Sequence, residues 1–168
     1  MFAKGTKILV HEPDHYVPVE ELSIGDILIN PITGGDVDIV DIKVQTLLIP
    51  SITIAPGHPS LAGLFEDLKI CTNQIVITCE KTESQKYTVI QEHKANQLLE
   101  KELIEKCNNG EYEAYYSISL NRGSLLCANG ALCVTSANAS NNRQNKSALG
   151  SLYTWFETHE TVSLLFND

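Results

Sequence analysis

Residues 125–134 constrain the fold more than any other stretch. Leu125-Leu126-Cys127-Ala128 and Ala131-Leu132-Cys133-Val134 are β-prone runs separated by Asn129-Gly130 alone. A two-residue connection between strands needs positive φ at both central positions, which Asn and Gly tolerate. The pattern predicts a tight antiparallel hairpin and commits this part of the chain to a sheet.

The same β character runs along most of the chain. Lys7–Val10 and Ile27–Ile29 are short candidate strands, the second after the turn Gly25-Asp26. Val37, Ile39, Ile42 and Val44 interleave with Asp38, Asp41 and Lys43, close to the period of two expected of a half-buried strand. Leu47–Ile49 and Ile52–Ile54 continue it, with breaks at Pro50 and Pro56. Ile75–Thr78, Tyr87–Ile90 and Ser117–Leu120 add three more. One helix is predicted, over Ala95–Cys107, from the spacing of Leu98, Leu99, Leu103 and Ile104, with Asn108-Asn109-Gly110 ending it. A weak internal echo sets Val19-Glu20-Glu21-Leu22-Ser23-Ile24 beside Phe65-Glu66-Asp67-Leu68-Lys69-Ile70, each ahead of a strand.

Composition narrows the function classes. The chain has 168 residues, 43% of them apolar, enough for a core. Twelve Lys and Arg against 21 Asp and Glu leave a net charge of -9, which argues against a phosphate-backbone partner and an anionic membrane surface. No apolar run approaches the ~18 residues of a membrane span. Lys4, Lys7 and the short run Ile8–Val10 do not make a secretory signal. Five cysteines, an odd count, fit free thiols in a reducing compartment. The expectation is a cytoplasmic protein, or one within a particle assembled inside the cell, and not a secreted one. The sequons at Asn138 and Asn145 read as chance in an Asn-rich stretch.

Three regions follow: a β domain over 1–135, an Asn/Ser-rich linker over 136–147, and an apolar segment over 148–168. In the last, Tyr153, Trp155, Phe156, Leu164, Leu165 and Phe166 are candidate anchors for a protein partner. His11 and His15 lie four apart, but Pro13 between them spoils the helical spacing a metal pair would use. The cysteines lack Cys-x-x-Cys spacing, and no phosphate-binding glycine loop is present. No metal and no cofactor is expected.

The opening Phe2-Ala3-Lys4-Gly5-Thr6-Lys7-Ile8, with Val19-Glu20-Glu21-Leu22-Ser23-Ile24-Gly25-Asp26 after it, resembles the start of Hint domains. These are the autoprocessing modules shared by hedgehog proteins and inteins. Leu68-Lys69-Ile70-Cys71-Thr72-Asn73-Gln74-Ile75-Val76 is similar to the family's second block, where a Ser or Thr and a His head a strand. Tyr116–Leu120 and Ala128–Val134 resemble its closing strands. The resemblance implies an all-β horseshoe of mostly antiparallel strands in two pseudo-twofold halves, with one short helix and a C-terminal extension.

It also implies three chemical stations. A Cys or Ser at the first position attacks the carbonyl before it, a His protonates the departing nitrogen, and a Thr or backbone donor steadies the oxyanion. Here the first position holds Met1, whose thioether has no proton to lose. Gln74 stands where the His is expected and cannot shuttle a proton. Thr72 remains as a donor, and Asn138 lacks the His and the following nucleophile of an intein end. In an alternative register, Ile54-Ala55-Pro56-Gly57-His58-Pro59 is the second block and His58 the proton donor. The reading favoured by these stations is a non-catalytic Hint-fold subunit that binds other proteins in a larger assembly, such as a viral particle. The alternative is a self-cleaving domain captured in an inactive form, with Met1 in place of the nucleophilic Cys.

Overall fold

The computed structural model describes residues 1–137, except 12–14, 32–33, 49, 59, 62, 82–86, 99–103, 108–111 and 123–124. Strands β1 (Phe2–Ala3), β2 (Lys7–Leu9) and β3 (Tyr16–Pro18) lead into a 3-10 turn at Val19–Glu21. Strands β4 (Ile27–Ile29), β5 (Asp36–Leu47) and β6 (Ser51–Ile54) follow. Strands β7 (Leu68–Cys71), β8 (Ile75–Lys81) and β9 (Tyr87–Lys94) lead into a second 3-10 turn, Ala95–Leu98. The rest are β10 (Ile104–Cys107), β11 (Glu113–Leu120), β12 (Leu125–Ala128), β13 (Ala131–Val134) and β14 (Ser136–Ala137).

These strands form two sheets. The larger runs β10-β6-β7-β1-β11-β5-β4, with β14 added to β11, and the smaller runs β3-β2-β12-β13-β8-β9. The smaller sheet has the same plan from either end. The β12–β13 hairpin is its middle, with Ala128 opposite Ile8 of β2 on one side and Cys133 opposite Val76 of β8 on the other. Beyond lie β3 and β9, and each runs into its 3-10 turn. The Val19 N–H donates to the Thr6 carbonyl at 2.8 Å, and the Ala95 N–H donates to the Gln74 carbonyl at 2.8 Å. In the larger sheet, β1 and β7 pair at Phe2 and Ile70. The fold is two β halves about a pseudo-twofold axis. Phe2, Ile70, Ile8 and Val76 meet in the core, each at most 1% exposed.

Two sequence expectations fail here. The helix over Ala95–Cys107 is a 3-10 turn at Ala95–Leu98 and then strand β10, which pairs with Ser51–Ile54 of β6. Burying Leu98, which is fully inaccessible, is worth roughly 1.5–3 kcal/mol, against a few tenths per residue of helix propensity. Packing therefore decides. The echo at 65–70 also misplaces the repeat. Phe65–Asp67 is loop and Leu68–Ile70 is strand, whereas the counterpart of Val19–Leu22 is Ala95–Leu98. Strand β14 takes Ser136 and Ala137 into the sheet from what the sequence reads as linker, pairing parallel with Ser119 and Leu120. Residues 138–168, and with them Asn138 and the six candidate anchors, lie outside the described residues.

The hairpin follows the sequence pattern. Asn129 has φ 48° and Gly130 φ 87°. The Asn129 side chain accepts the Lys7 N–H at 2.7 Å and donates to the Asp67 carbonyl at 2.9 Å, while its own carbonyl accepts the Phe65 N–H at 3.0 Å. A Cβ on Gly130 would sit 1.9 Å from the Gly63 carbonyl oxygen. Gly130→Ala is therefore expected to destabilise the protein by about 2 kcal/mol or more, from a positive φ and a backbone clash together. Urea unfolding measures this, and an unchanged midpoint would refute the close approach.

Candidate functional site

The site grows from the position of β1. This two-residue strand lies between β7 and β11 in the middle of the larger sheet, so residue 1 emerges at the centre of the fold. The Cys71 N–H donates to the Met1 carbonyl at 3.2 Å. Strand β11 receives β1 at Tyr115 and Tyr116 and β14 at Ser119 and Leu120, while β5 fills its other edge from Glu113 to Leu120. Met1 and Ser136 therefore approach each other end to end along one edge of β11. Beside that meeting point is a cavity of about 450 Å³, lined by Met1, Phe2, Asn73, Gln74, Ile75, Ser117, Ile118, Val134 and Thr135.

Gln74 controls the polarity of this cavity. Its Nε2 donates to the Val134 carbonyl at 2.7 Å and to the Ile75 carbonyl at 3.0 Å. Both amide hydrogens are thus committed, which fixes the orientation of the group. The remaining Oε1 accepts a hydrogen bond from the Met1 amine. Burial holds that amine below its ordinary value of 8.0, with Cys71 and Cys133 pulling it back up. Burial pushes the thiols of Cys71, Cys127 and Cys133 up. The two thiols nearest the amine are consequently protonated at neutral pH and weak as nucleophiles. Tyr115 packs in the same cluster as Cys71 and Met1, and its hydroxyl donates to Glu113, which pairs with Lys69.

The sequence candidates divide. Met1 and Gln74, 73 residues apart, are brought into direct contact. Thr72 does not line the cavity; Cys71 packs against Met1 instead. The turn geometry explains the swap. The Gln74 N–H closes on the Cys71 carbonyl at 2.9 Å, so residues 71 and 74 flank the turn and Thr72 sits at its tip. His58 is fully buried in the loop after β6, where its Nδ1 accepts the Ser60 N–H at 3.2 Å, and it does not line the cavity. Cys71, Ser117, Thr135 and the Val134 carbonyl are site groups that sequence reasoning missed. His11 bonds Asp36 at 2.6 Å and, with His15 and Asp26, borders a separate surface hollow. Among the described residues no group of three or more His, Cys, Asp or Glu could hold a metal ion. No helix among them is long and apolar enough to cross a membrane.

No protein-family model matches the sequence, and no curated protein does. Solved structures do match. The splicing domain of the Msm DnaB1 intein, solved with zinc bound, is similar with a TM-score of 0.52 at 10% identity, over 80% of this chain and 100% of that one. A DnaB intein from Synechocystis sp. PCC 6803 matches with a TM-score of 0.51 at 10% identity, over 80% and 97%. The gp41-1 intein matches with a TM-score of 0.50 at 11% identity, over the same shares. This chain has the Hint fold. It reaches that fold from a sequence only about a tenth identical to these inteins.

The buried amine of this Hint-fold chain gives a pH signature. A base whose folded-state pKa lies below its unfolded value binds more protons when unfolded, so stability rises with pH through that interval. The raised thiols act in the opposite sense and above it, because the unfolded chain releases their protons from 9.0 upward. Denaturation midpoints of the chain with a free Met1 amine should therefore climb as pH approaches 8 and decline beyond 9. Acetylating the amine should remove the climb and leave the decline. A climb that survives acetylation would place its origin elsewhere.

Proposed function

We propose that the chain is a Hint-type autoprocessing scaffold held in a form that does not carry out the acyl shift. The observation that supports this reading most is the grip of Gln74 on the nitrogen of residue 1, with the Gln74 amide itself fixed by the carbonyls of Val134 and Ile75. That nitrogen is the atom an acyl shift must release. In such a shift the residue 1 nucleophile forms a bond to the preceding carbonyl carbon, the C–N bond breaks, and the nitrogen takes a proton. Met1 offers a thioether without a proton, and Gln74 offers an acceptor where a donor acid is needed. The geometry that would orient the bond is present, and the two groups that would react are not.

A role as a structural subunit would use edge strands and residues 148–168, the latter outside the described residues, and the geometry around residue 1 supports the autoprocessing scaffold instead. Cys71, Cys127 and Cys133 are free and buried, which fits residence in a reducing compartment.

The reading is tested with a reporter fused ahead of residue 1 and intact mass followed in the presence of a thiol. The unaltered fusion should stay whole. Met1→Cys with Gln74→His should release the reporter, about 100-fold or more faster than Met1→Cys alone, the scale of general acid catalysis. If the double variant stays whole while its unfolding curve matches the parent, the cavity is not an acyl-shift site. Equal release by the single variant would show that the proton comes from a group other than residue 74.

A further inference from the structure

The negative charge of this chain is concentrated in one stretch. Between Lys7 and Lys43, 35 residues run without a Lys or Arg and hold eight Asp and Glu. The other 133 residues set 13 acids against all 12 Lys and Arg and are close to neutral. Nearly the whole net charge of -9 therefore belongs to β2, β3, β4, the first half of β5 and the turns that join them. Two of the eight acids, Glu12 and Asp14, lie outside the described residues.

Strand pairing gathers three of the others. Leu28 and Val37 stand opposite each other in the β4–β5 pair, and both are buried in the core. Alternation sends their neighbours to the outer face, where Ile27 stands beside Asp38 and Ile29 beside Asp36. Both aspartates are exposed. Asp36 bonds the His11 ring at 2.6 Å, and Asp38 accepts the Asn121 side-chain amide at 2.8 Å. Asp26, in the turn before β4, accepts the Ser23 N–H at 2.7 Å. Like charges gathered on one face repel, and this stretch has no lysine or arginine of its own to offset them.

An apolar hollow of about 510 Å³ adjoins these acids. Val10, Val17, Leu22 and Ile27 line it, with His11 and Asp26 as polar members. Val10 and Val17 pack on the core behind it. Ile27 is 41% exposed, and Ile24 on the neighbouring turn is 65% exposed. Bare isoleucines around an open hollow mark a surface that a partner covers. The charge selects the partner. Acidic and phosphate-bearing chains are repelled, and a purely apolar segment gains nothing from the aspartates. A segment with Lys or Arg on either side of bulky apolar side chains matches both features. We propose that this face docks a basic segment of another protein, whose apolar side chains fill the hollow while the flanking cations meet Asp26, Asp36 and Asp38. The hollow shares no lining residue with the cavity at residue 1, so the proposal stands apart from the acyl-shift reading.

Amide NMR titration of the full chain tests this, with end-capped hexapeptides as probes. Lys-Lys-Leu-Phe-Lys-Lys should shift the amides of Leu22–Ile27, and its binding should weaken as salt is raised. Replacing Leu-Phe by Gly-Gly, or every lysine by glutamate, should cost about tenfold or more in affinity. Asp26→Asn with Asp36→Asn should weaken the first peptide by a similar factor, since each asparagine keeps a hydrogen-bonding oxygen and loses only the charge. Ile27→Ser should lower the affinity of the Leu-Phe peptide towards that of the Gly-Gly peptide. Unmoved resonances from the β12–β13 hairpin report an intact domain in each variant. Equal binding of the Leu-Phe and Gly-Gly peptides would reduce the face to diffuse charge and overturn the proposal. So would the absence of any shift, shifts centred outside Leu22–Ile27, or the same shifts from magnesium chloride at matched ionic strength.

Discussion

One buried side-chain amide joins the parts of this molecule that are farthest apart in sequence. Asn129 sits at the tip of the central hairpin with a left-handed backbone, accepts from Lys7 at the start of β2, and donates to Asp67 just before β7. Strand β12 can lie against β2, and β13 against β8, only if the turn between them is this tight and this twisted. The smaller sheet, and through it the pseudo-twofold relation of the halves, depends on two residues whose conformation few others adopt. Gly130 is the stricter of the two, since the Gly63 carbonyl occupies the space a side chain would need.

Gln74 plays the corresponding part at the open end of the same hairpin. It is 6% exposed, and its amide ties the end of β13 to the start of β8 and to residue 1. A buried amide that satisfies all its bonds rigidifies what it touches, because releasing any one of them leaves an unpaired polar group in a low dielectric. Asn129 and Gln74 thus close the two ends of one hairpin, one for the architecture and the other for the site.

Much of this was legible from local pattern. The hairpin and most of the strands follow from turn chemistry, alternation and the resemblance of two short blocks. What was not legible depended on distant partners. Ile104–Cys107 has helical spacing with Leu98, Leu99 and Leu103, yet it is a strand because Ser51–Ile54, some fifty residues earlier, offers an edge to pair with. Thr72 is the conventional donor type, yet Cys71 faces Met1, because the positions either side of a tight turn share a side and the tip does not. A reading of residue types alone has no access to that distinction. The repeat was similarly hidden. Val19–Leu22 and Ala95–Leu98 share little beyond a buried leucine and one backbone bond to the start of each half, and neither leaves a pattern in sequence.

That backbone character also explains how the fold positions residue 1 without relying on the side chain that residue carries. The position of residue 1 is set by strand pairing at Phe2 and Ala3, by the Cys71 N–H, and by an acceptor at position 74 held by two main-chain carbonyls. None of these requires a nucleophile at residue 1 or an acid at residue 74. A thioether fills the space beside Cys71 and Tyr115 as an apolar side chain, and an amide makes the bonds that hold the hairpin end. Placing residue 1 is therefore separable, in this architecture, from the side-chain chemistry at residues 1 and 74.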